Sequence, residues 1–123
     1  MLVKDFYTID GKQVQDDGSV VYAVQLNPNH DVYKGHFPEK PITPGVCNIQ
    51  MIKELAEDAR GKAFTLKDID RCRLTSMVTP DGSPKLNIKV QFDAADPCKL
   101  SATIFYGETT YMTLSGTLVD KLQ

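Results

Sequence analysis

The chain has 123 residues, 41% of them hydrophobic and 24% charged, values of a folded globular protein rather than a disordered one. Lys+Arg number 14 and Asp+Glu 16, a formal charge of −2, with neither the basic excess of a nucleic-acid surface nor an acidic tail. The length suits one domain, residues 1–123, and a unit this small leaves enough half-covered apolar surface to raise the question of a second subunit.

The longest apolar run of the N-terminal half, residues 20–24, is far short of a bilayer span. Met1-Leu2-Val3 runs straight into Lys4 and Asp5, so no signal-peptide core develops. Cys47, Cys72 and Cys98 are odd in number and form no Cys-x-x-Cys pair. Neither a disulfide framework nor a structural zinc site is expected, and a reducing, cytoplasmic setting is the simple reading.

In chain order, residues 6–15 read as strand, broken at Asp10-Gly11 by what looks like a hairpin turn. Asp16-Asp17-Gly18 is a second turn. Residues 19–26 alternate, with Val20, Tyr22, Val24 and Leu26 on one face, until Asn27-Pro28-Asn29 stops the strand. Residues 30–43 show no periodicity. Gly35, Pro38, Pro41, Pro44 and Gly45 crowd this stretch and its exit, which suits an ordered functional loop or a rigid connector.

A helix is expected from Thr43-Pro44, with Thr43 as N-cap and Pro44 in the first turn, where its missing N–H costs nothing. Val46, Ile49, Ile52, Leu55, Ala56 and Ala59 fall on or beside one stripe, Gln50, Glu54 and Glu57 on the other side, and Gly61 follows as the terminating glycine. Such a helix is about 25 Å long. Residues 64–78 are β-rich and end at Thr79-Pro80-Asp81-Gly82. Residues 86–92 alternate without a fault and predict a half-buried strand. Asp96-Pro97 starts a turn. Leu100, Ala102, Ile104 and Tyr106 share a face of the next strand, and after Gly107-Glu108 residues 111–119 form the last. One helix packed on an antiparallel sheet is an α+β plan.

The two histidines, His30 and His36, both lie in the Pro/Gly-rich stretch. Gly35-His36-Phe37-Pro38, then Pro41, then Pro44-Gly45, holds His36 against the start of the helix, where unpaired N–H groups and the positive dipole end face outward. A general base beside an anion-binding helix end is a workable pair for removing a proton next to a carbonyl.

The run His30-Asp31-Val32-Tyr33-Lys34-Gly35-His36-Phe37-Pro38-Glu39-Lys40-Pro41-Ile42-Thr43-Pro44-Gly45-Val46 resembles the signature of (3R)-hydroxyacyl-[acyl-carrier-protein] dehydratases of the hot-dog fold. A second match follows in Ile69-Asp70-Arg71-Cys72-Arg73-Leu74 and Val78-Thr79-Pro80, and the order of elements agrees along essentially the whole chain. The resemblance implies an antiparallel sheet wrapped round one long central helix, paired as a dimer with a continuous sheet. It also implies a reaction that removes water from a 3-hydroxyacyl thioester to give the trans-2-enoyl thioester, as in fatty acid biosynthesis. By position, His36 would take the α-proton and the Gly45 amide would hold the thioester oxygen, with Phe37, Pro44 and Val46 lining the substrate. No cofactor or metal is implied. A zinc site from His30, Asp31 and His36 matches no common ligand spacing.

The family's helix carboxylate, which comes from the other subunit and protonates the departing hydroxyl, lies fourteen positions beyond the histidine, and there this chain has Gln50. Glutamine donates a hydrogen bond but gives up no proton. General acid–base help is worth about 10²–10⁴ in rate, or about 3–5 kcal/mol. Glu54, one turn on, Asp58, two turns on, and a water polarised by Gln50 are the replacements. For Glu54 the competing role is a solvated helix face shared with Glu57, Lys53 and Lys62. His30 either orients the loop or sits exposed at a strand end. Cys47, on the first helical turn, is either a low-pKa thiol or a small core residue.

Lys34, Lys40, Arg60, Lys62, Arg71 and Arg73 bracket the site in sequence and would suit docking of an acidic carrier protein. Three functions follow: a dehydratase acting on acyl-carrier-protein or coenzyme A thioesters; a non-catalytic acyl-binding or partner subunit of a complete dehydratase, paired as a homodimer or heterodimer; and a hot-dog thioesterase.

Overall fold

A computed structural model of the chain describes residues 6–27, 45–76 and 85–120. The elements are β1 (Tyr7–Val14), β2 (Val20–Leu26), α1 (Gly45–Arg60), β3 (Phe64–Leu74), β4 (Lys85–Phe92), β5 (Lys99–Tyr106) and β6 (Thr109–Asp120). The six strands form one sheet in the order β1-β2-β4-β5-β6-β3, and every pairing is antiparallel. This is the α+β plan expected from the strand and helix patterns.

Alternation decides which face of the sheet is core. Val20, Tyr22, Val24 and Leu26 of β2, Leu86, Ile88 and Val90 of β4, and Leu100, Ala102 and Ile104 of β5 all point inward and are buried. Met112, Leu114 and Leu118 of β6 complete that face, while Ser101, Thr103, Thr113 and Ser115 face the other way and stay wholly or partly exposed. A sheet with one packed and one wet face gives this pattern.

Asp10-Gly11 is not the expected hairpin turn. It is a register shift inside β1, between Ile9 and Gly11, and Gly11 does not take a positive φ. The chain reverses at Asp16-Asp17-Gly18, where Gly18 has φ +87°. There the Asp17 Oδ1 accepts from both the backbone N–H (2.9 Å) and the hydroxyl (2.6 Å) of Ser19. That Asx-type grip makes this turn the cheaper place to reverse.

The buried stripe of α1 also differs from expectation. Cys47, Asn48, Met51, Ile52, Leu55 and Ala56 are each at most 1% exposed, whereas Ile49 and Ala59 are only partly buried. The sheet covers a wider face than one narrow apolar stripe, and it takes in the soft side chains of Cys47 and Met51. Thr43 and Pro44, the expected helix start, lie outside the described residues. The expected stop holds: Gly61 has φ +75°, and the N–H groups of Gly61 and Lys62 return to the Glu57 carbonyl at 2.8 and 3.3 Å.

Two further expectations shift. Tyr106 was grouped with the inward face of β5 but is 49% exposed, because a register irregularity between Ile104 and Phe105 rotates the strand end as it enters the turn at Gly107, φ +59°. The expected strand over 64–78 is β3, which lies at the sheet edge and pairs with β6, the last strand described. Its register shifts twice, between Leu66 and Asp68 and between Ile69 and Arg71. The turn expected at Thr79-Pro80-Asp81-Gly82 lies outside the described residues.

Gly116 of β6 sits opposite those irregularities. A Cβ there would stand 2.6 Å from the Asp68 carbonyl oxygen, a contact that only backbone movement relieves. Gly116→Ala is therefore expected to lower unfolding stability by about 1–3 kcal/mol. Gly11→Ala would meet only the Ala23 Cβ at 3.7 Å and should be neutral or gain up to about 1 kcal/mol. Urea denaturation of the two variants at one protein concentration checks the contrast.

Candidate active site

Of the residues singled out from sequence, His30, His36, Phe37 and Pro44, with Lys34 and Lys40, lie outside the described residues. Gly45 and Val46 open α1. Gln50 and Glu54 follow on the next turns, both half-buried.

Positions 50, 54 and 58 are four residues apart, so their side chains stack along one face of the helix. The first hairpin faces them. The Gln50 Nε2 donates to Glu54 Oε2 at 2.9 Å, and the Tyr7 hydroxyl donates to Glu54 Oε1 at 3.1 Å. Glu54 is thus held by both oxygens, from its own helix and from β1. A turn further on, the Tyr22 hydroxyl donates to Asp58 Oδ2 at 2.6 Å, and Lys12 Nζ donates to the same oxygen at 3.2 Å. The solvated face considered for Glu54 and Glu57 is instead tied to the sheet. Glu57 pairs with Lys53 at 3.6 Å and accepts from the Phe64 backbone N–H at 2.9 Å, which fixes where β3 begins.

These contacts set the electrostatics. Burial, then the Glu54 carboxylate, pushes the Tyr7 phenol above its ordinary range. Burial followed by the hydrogen bond to Asp58 does the same for Tyr22. The Tyr22 hydrogen bond, with Lys12 second, holds the Asp58 carboxyl below its ordinary range. Both tyrosines therefore remain donors to their carboxylates. Burial also pushes the Cys47 thiol up, so the core-filling role is the one the structure supports, not a reactive thiolate.

Gln50's bond to Glu54 fixes which way its amide points. A carboxylate oxygen accepts only, so the amide nitrogen must face it, and the amide carbonyl faces away. Asn48, two residues earlier and on the core side, has the opposite situation. It is fully buried, and neither its Nδ2 nor its Oδ1 has a hydrogen-bond partner. Ser19, the other buried polar residue described, gives its hydroxyl to Asp17. Leaving a buried polar group unpaired costs about 1–3 kcal/mol.

Sequence reading missed Tyr7, Tyr22, Lys12 and Asn48. The 50/54/58 spacing was a signal for the ladder, and Lys12 and Tyr22 are register partners once the β1–β2 turn is set at Gly18. Of the basic residues that bracket the site in sequence, Arg60, Lys62, Arg71 and Arg73 fall among the described residues. Arg60 and Lys62 lie at the far end of α1 from Gly45, about 22 Å away along the axis, and Arg60 sits over the Phe64 ring at 5.8 Å. Arg71 and Arg73 are exposed on β3. Among the described residues no group of three His, Cys, Asp or Glu could hold a metal, and no helix is long and apolar enough to cross a membrane.

The fold has close counterparts. The chain superposes on a subunit of the dehydratase heterocomplex ApeI:P from Xenorhabdus doucetiae with a TM-score of 0.77 at 19% identity, covering 90% of this chain and 96% of that one. An uncharacterized protein from Erwinia carotovora subsp. atroseptica matches with a TM-score of 0.72 at 20% identity, over 94% and 95% of the two chains. The fold is the hot-dog fold. The profile of the ApeI-like family, described as ApeI dehydratase, matches residues 12–113, and the chain belongs to that family.

Relatives by sequence are named 3-hydroxyacyl-[acyl-carrier-protein] dehydratase FabZ. That of Halalkalibacterium halodurans is 27% identical over 93 residues, 69% of this chain and 66% of the relative. That of Macrococcus caseolyticus is 30% identical over 73 residues, 54% and 50% of the two. The matched stretch thus spans between half and two thirds of these relatives' length.

Asp58 gives a pH prediction. A carboxyl whose pKa is depressed in the folded chain stabilises it above the unfolded value, about 3.9 for aspartate, and that stability is lost as pH falls through the folded value. Stability should therefore decline on acidification below about pH 5, and Asp58→Asn should flatten that decline. Urea midpoints measured from neutral to acidic pH for both proteins check it.

Proposed function

We propose that the chain is a dehydratase of 3-hydroxyacyl thioesters, carried on an acyl carrier protein or coenzyme A, that forms the trans-2-enoyl thioester. The observation that carries this reading is the ApeI-like dehydratase match across residues 12–113, which spans His36, Gly45 and Gln50 together. In the proposed reaction the His36 imidazole takes the proton from C2 and the Gly45 amide stabilises the negative charge on the thioester oxygen. The C2 electron pair forms the C2=C3 bond, the C3–O bond breaks, and the hydroxyl leaves as water with a proton delivered by a bound water, which takes it back from the His36 imidazolium. Gln50 cannot supply that proton. Its amide, turned by Glu54, offers its carbonyl to the departing hydroxyl or to a water, and Glu54 is the carboxylate one turn behind it.

A second reading has specific support: the chain acts as one subunit of a pair whose partner brings a carboxylate. Gln50 occupies the position of the family's acid, and the structural relative of Xenorhabdus doucetiae is part of a dehydratase heterocomplex. Pairing along β3 would suit either a like or an unlike subunit. Its outer edge has no strand beside it among the described residues, and Ile69 and Leu74 are 45% and 46% exposed there. Three free cysteines, two of them exposed, fit work in a reducing cytoplasm.

Incubation with a 3-hydroxyacyl thioester in deuterated water separates these readings. Water loss that disappears in His36→Ala is the result expected of a self-sufficient enzyme. Exchange at C2 without water loss marks a working base that lacks its acid and needs a partner subunit. In that case Gln50→Glu should raise dehydration by up to about 10²–10⁴. No exchange, no enoyl product and no hydration of added enoyl thioester would overturn the dehydratase reading for the chain alone, and release of free thiol would point to thioester hydrolysis.

A further inference from the structure

Two hydrogen bonds to one carboxylate join the first strand to Gln50. The Tyr7 hydroxyl donates to Glu54 Oε1 at 3.1 Å, and Gln50 Nε2 donates to Glu54 Oε2 at 2.9 Å. A glutamine amide turns about its last side-chain bond, and its two ends differ in which one donates and which accepts. Glu54 decides between them, because a carboxylate only accepts. A glutamate turns as freely, however, and a bond from Gln50 alone would let the two side chains swing together. The bond from Tyr7 is the one that comes from outside the helix.

Tyr7 is placed to hold that end still. It opens β1 opposite Leu26, and just before it the Phe6 carbonyl accepts from the Asn27 backbone N–H at 2.9 Å. Its ring is half-buried beside the fully buried Phe6. Its hydroxyl is committed to Glu54, so any part it takes in the chemistry passes through that carboxylate. Tyr22 supplies the comparison. It donates to Asp58 Oδ2 at 2.6 Å, one turn further along α1, where Lys12 also donates. That bond ties the same helix to the same hairpin and reaches neither Glu54 nor Gln50.

We infer that Tyr7 is a positioning residue for dehydration, which through Glu54 sets the Gln50 carbonyl toward the departing hydroxyl or the water that protonates it. The inference rests on the dehydratase reading above. Tyr7 then acts on the C3–O step alone. Removal of the C2 proton by His36 is independent of it.

Rates of water loss and of C2 exchange, measured on the full-length protein with 3-hydroxyoctanoyl-pantetheine in deuterated water, separate positioning from mere support of the helix. Tyr7→Phe removes one oxygen and keeps the ring. It is expected to lower kcat for water loss about tenfold, with KM and C2 exchange within about twofold of the parent. Tyr22→Phe should lower the thermal midpoint comparably and leave kcat within about twofold, since Lys12 still holds Asp58. In a Gln50→Leu background, Tyr7→Phe should cost nothing more, because the group it positions is gone. Equal loss of kcat in Tyr7→Phe and Tyr22→Phe, or a full further loss on top of Gln50→Leu, overturns the inference and leaves Tyr7 as a support of the helix. Unchanged water loss in Tyr7→Phe overturns it too, with the dehydratase reading intact. A parent that exchanges C2 without losing water overturns it in favour of the partner subunit's acid. A parent that does neither overturns both readings together.

Discussion

Helix α1 meets the sheet through a buried stripe running from Cys47 to Ala56 and meets the first hairpin through a polar ladder of Gln50, Glu54 and Asp58. The two faces do different work. The stripe is large and non-directional, and each fully buried side chain of the size of Leu55 or Ile52 contributes about 1.5–3 kcal/mol. It holds the helix on the sheet but would tolerate a small roll about its axis. The ladder is directional. Tyr7 and Tyr22 reach fixed oxygens on successive turns, so the helix cannot roll without breaking both. The orientation of every residue on its first two turns, Gly45 and Gln50 included, follows from that constraint.

The ladder also shows what the half-buried carboxylate of α1 is used for. Glu54 is the carboxylate of this region, but it is committed on both oxygens, to Tyr7 and to Gln50. Its charge is spent on orienting an amide. The raised phenol of Tyr7 keeps its own proton for this hydrogen bond, so the Tyr7–Glu54–Gln50 chain is a set of fixed donors and acceptors.

Much of the fold was legible in sequence because alternation and turn residues leave direct marks. The inward residues of β2 and β4, the stop at Gly61 and the turn at Gly18 could all be read from single-residue chemistry. Asp10-Gly11 was misread because the same dipeptide serves a turn and a bulge, and the choice depends on the stronger Asp17–Ser19 grip six residues later. Tyr106 was misread because a strand irregularity breaks the period of two without changing the sequence pattern. The helix face went wrong for a further reason. Polarity marks Glu54 and Glu57 as solvent-facing, yet Glu54 meets the Tyr7 hydroxyl of β1, remote in sequence, and Glu57 meets the Phe64 N–H where β3 begins. Asn48 was passed over because a single asparagine in an apolar stripe carries no periodic signal.

The place of β3 has a consequence for the order in which the chain assembles. Its register partners in β6 lie as far as Asp120, opposite Phe64, so β3 is synthesised well before anything can pair with it. The β5–β6 hairpin is local and closes across Gly107; β3 must wait for that hairpin and then close the loop between Leu74 and Met112, residues 75–111, onto it. During that wait an eleven-residue strand stands with both edges open. Its mixed charges, Lys67, Asp68, Asp70, Arg71 and Arg73, disfavour pairing of such an open strand with a wrong one.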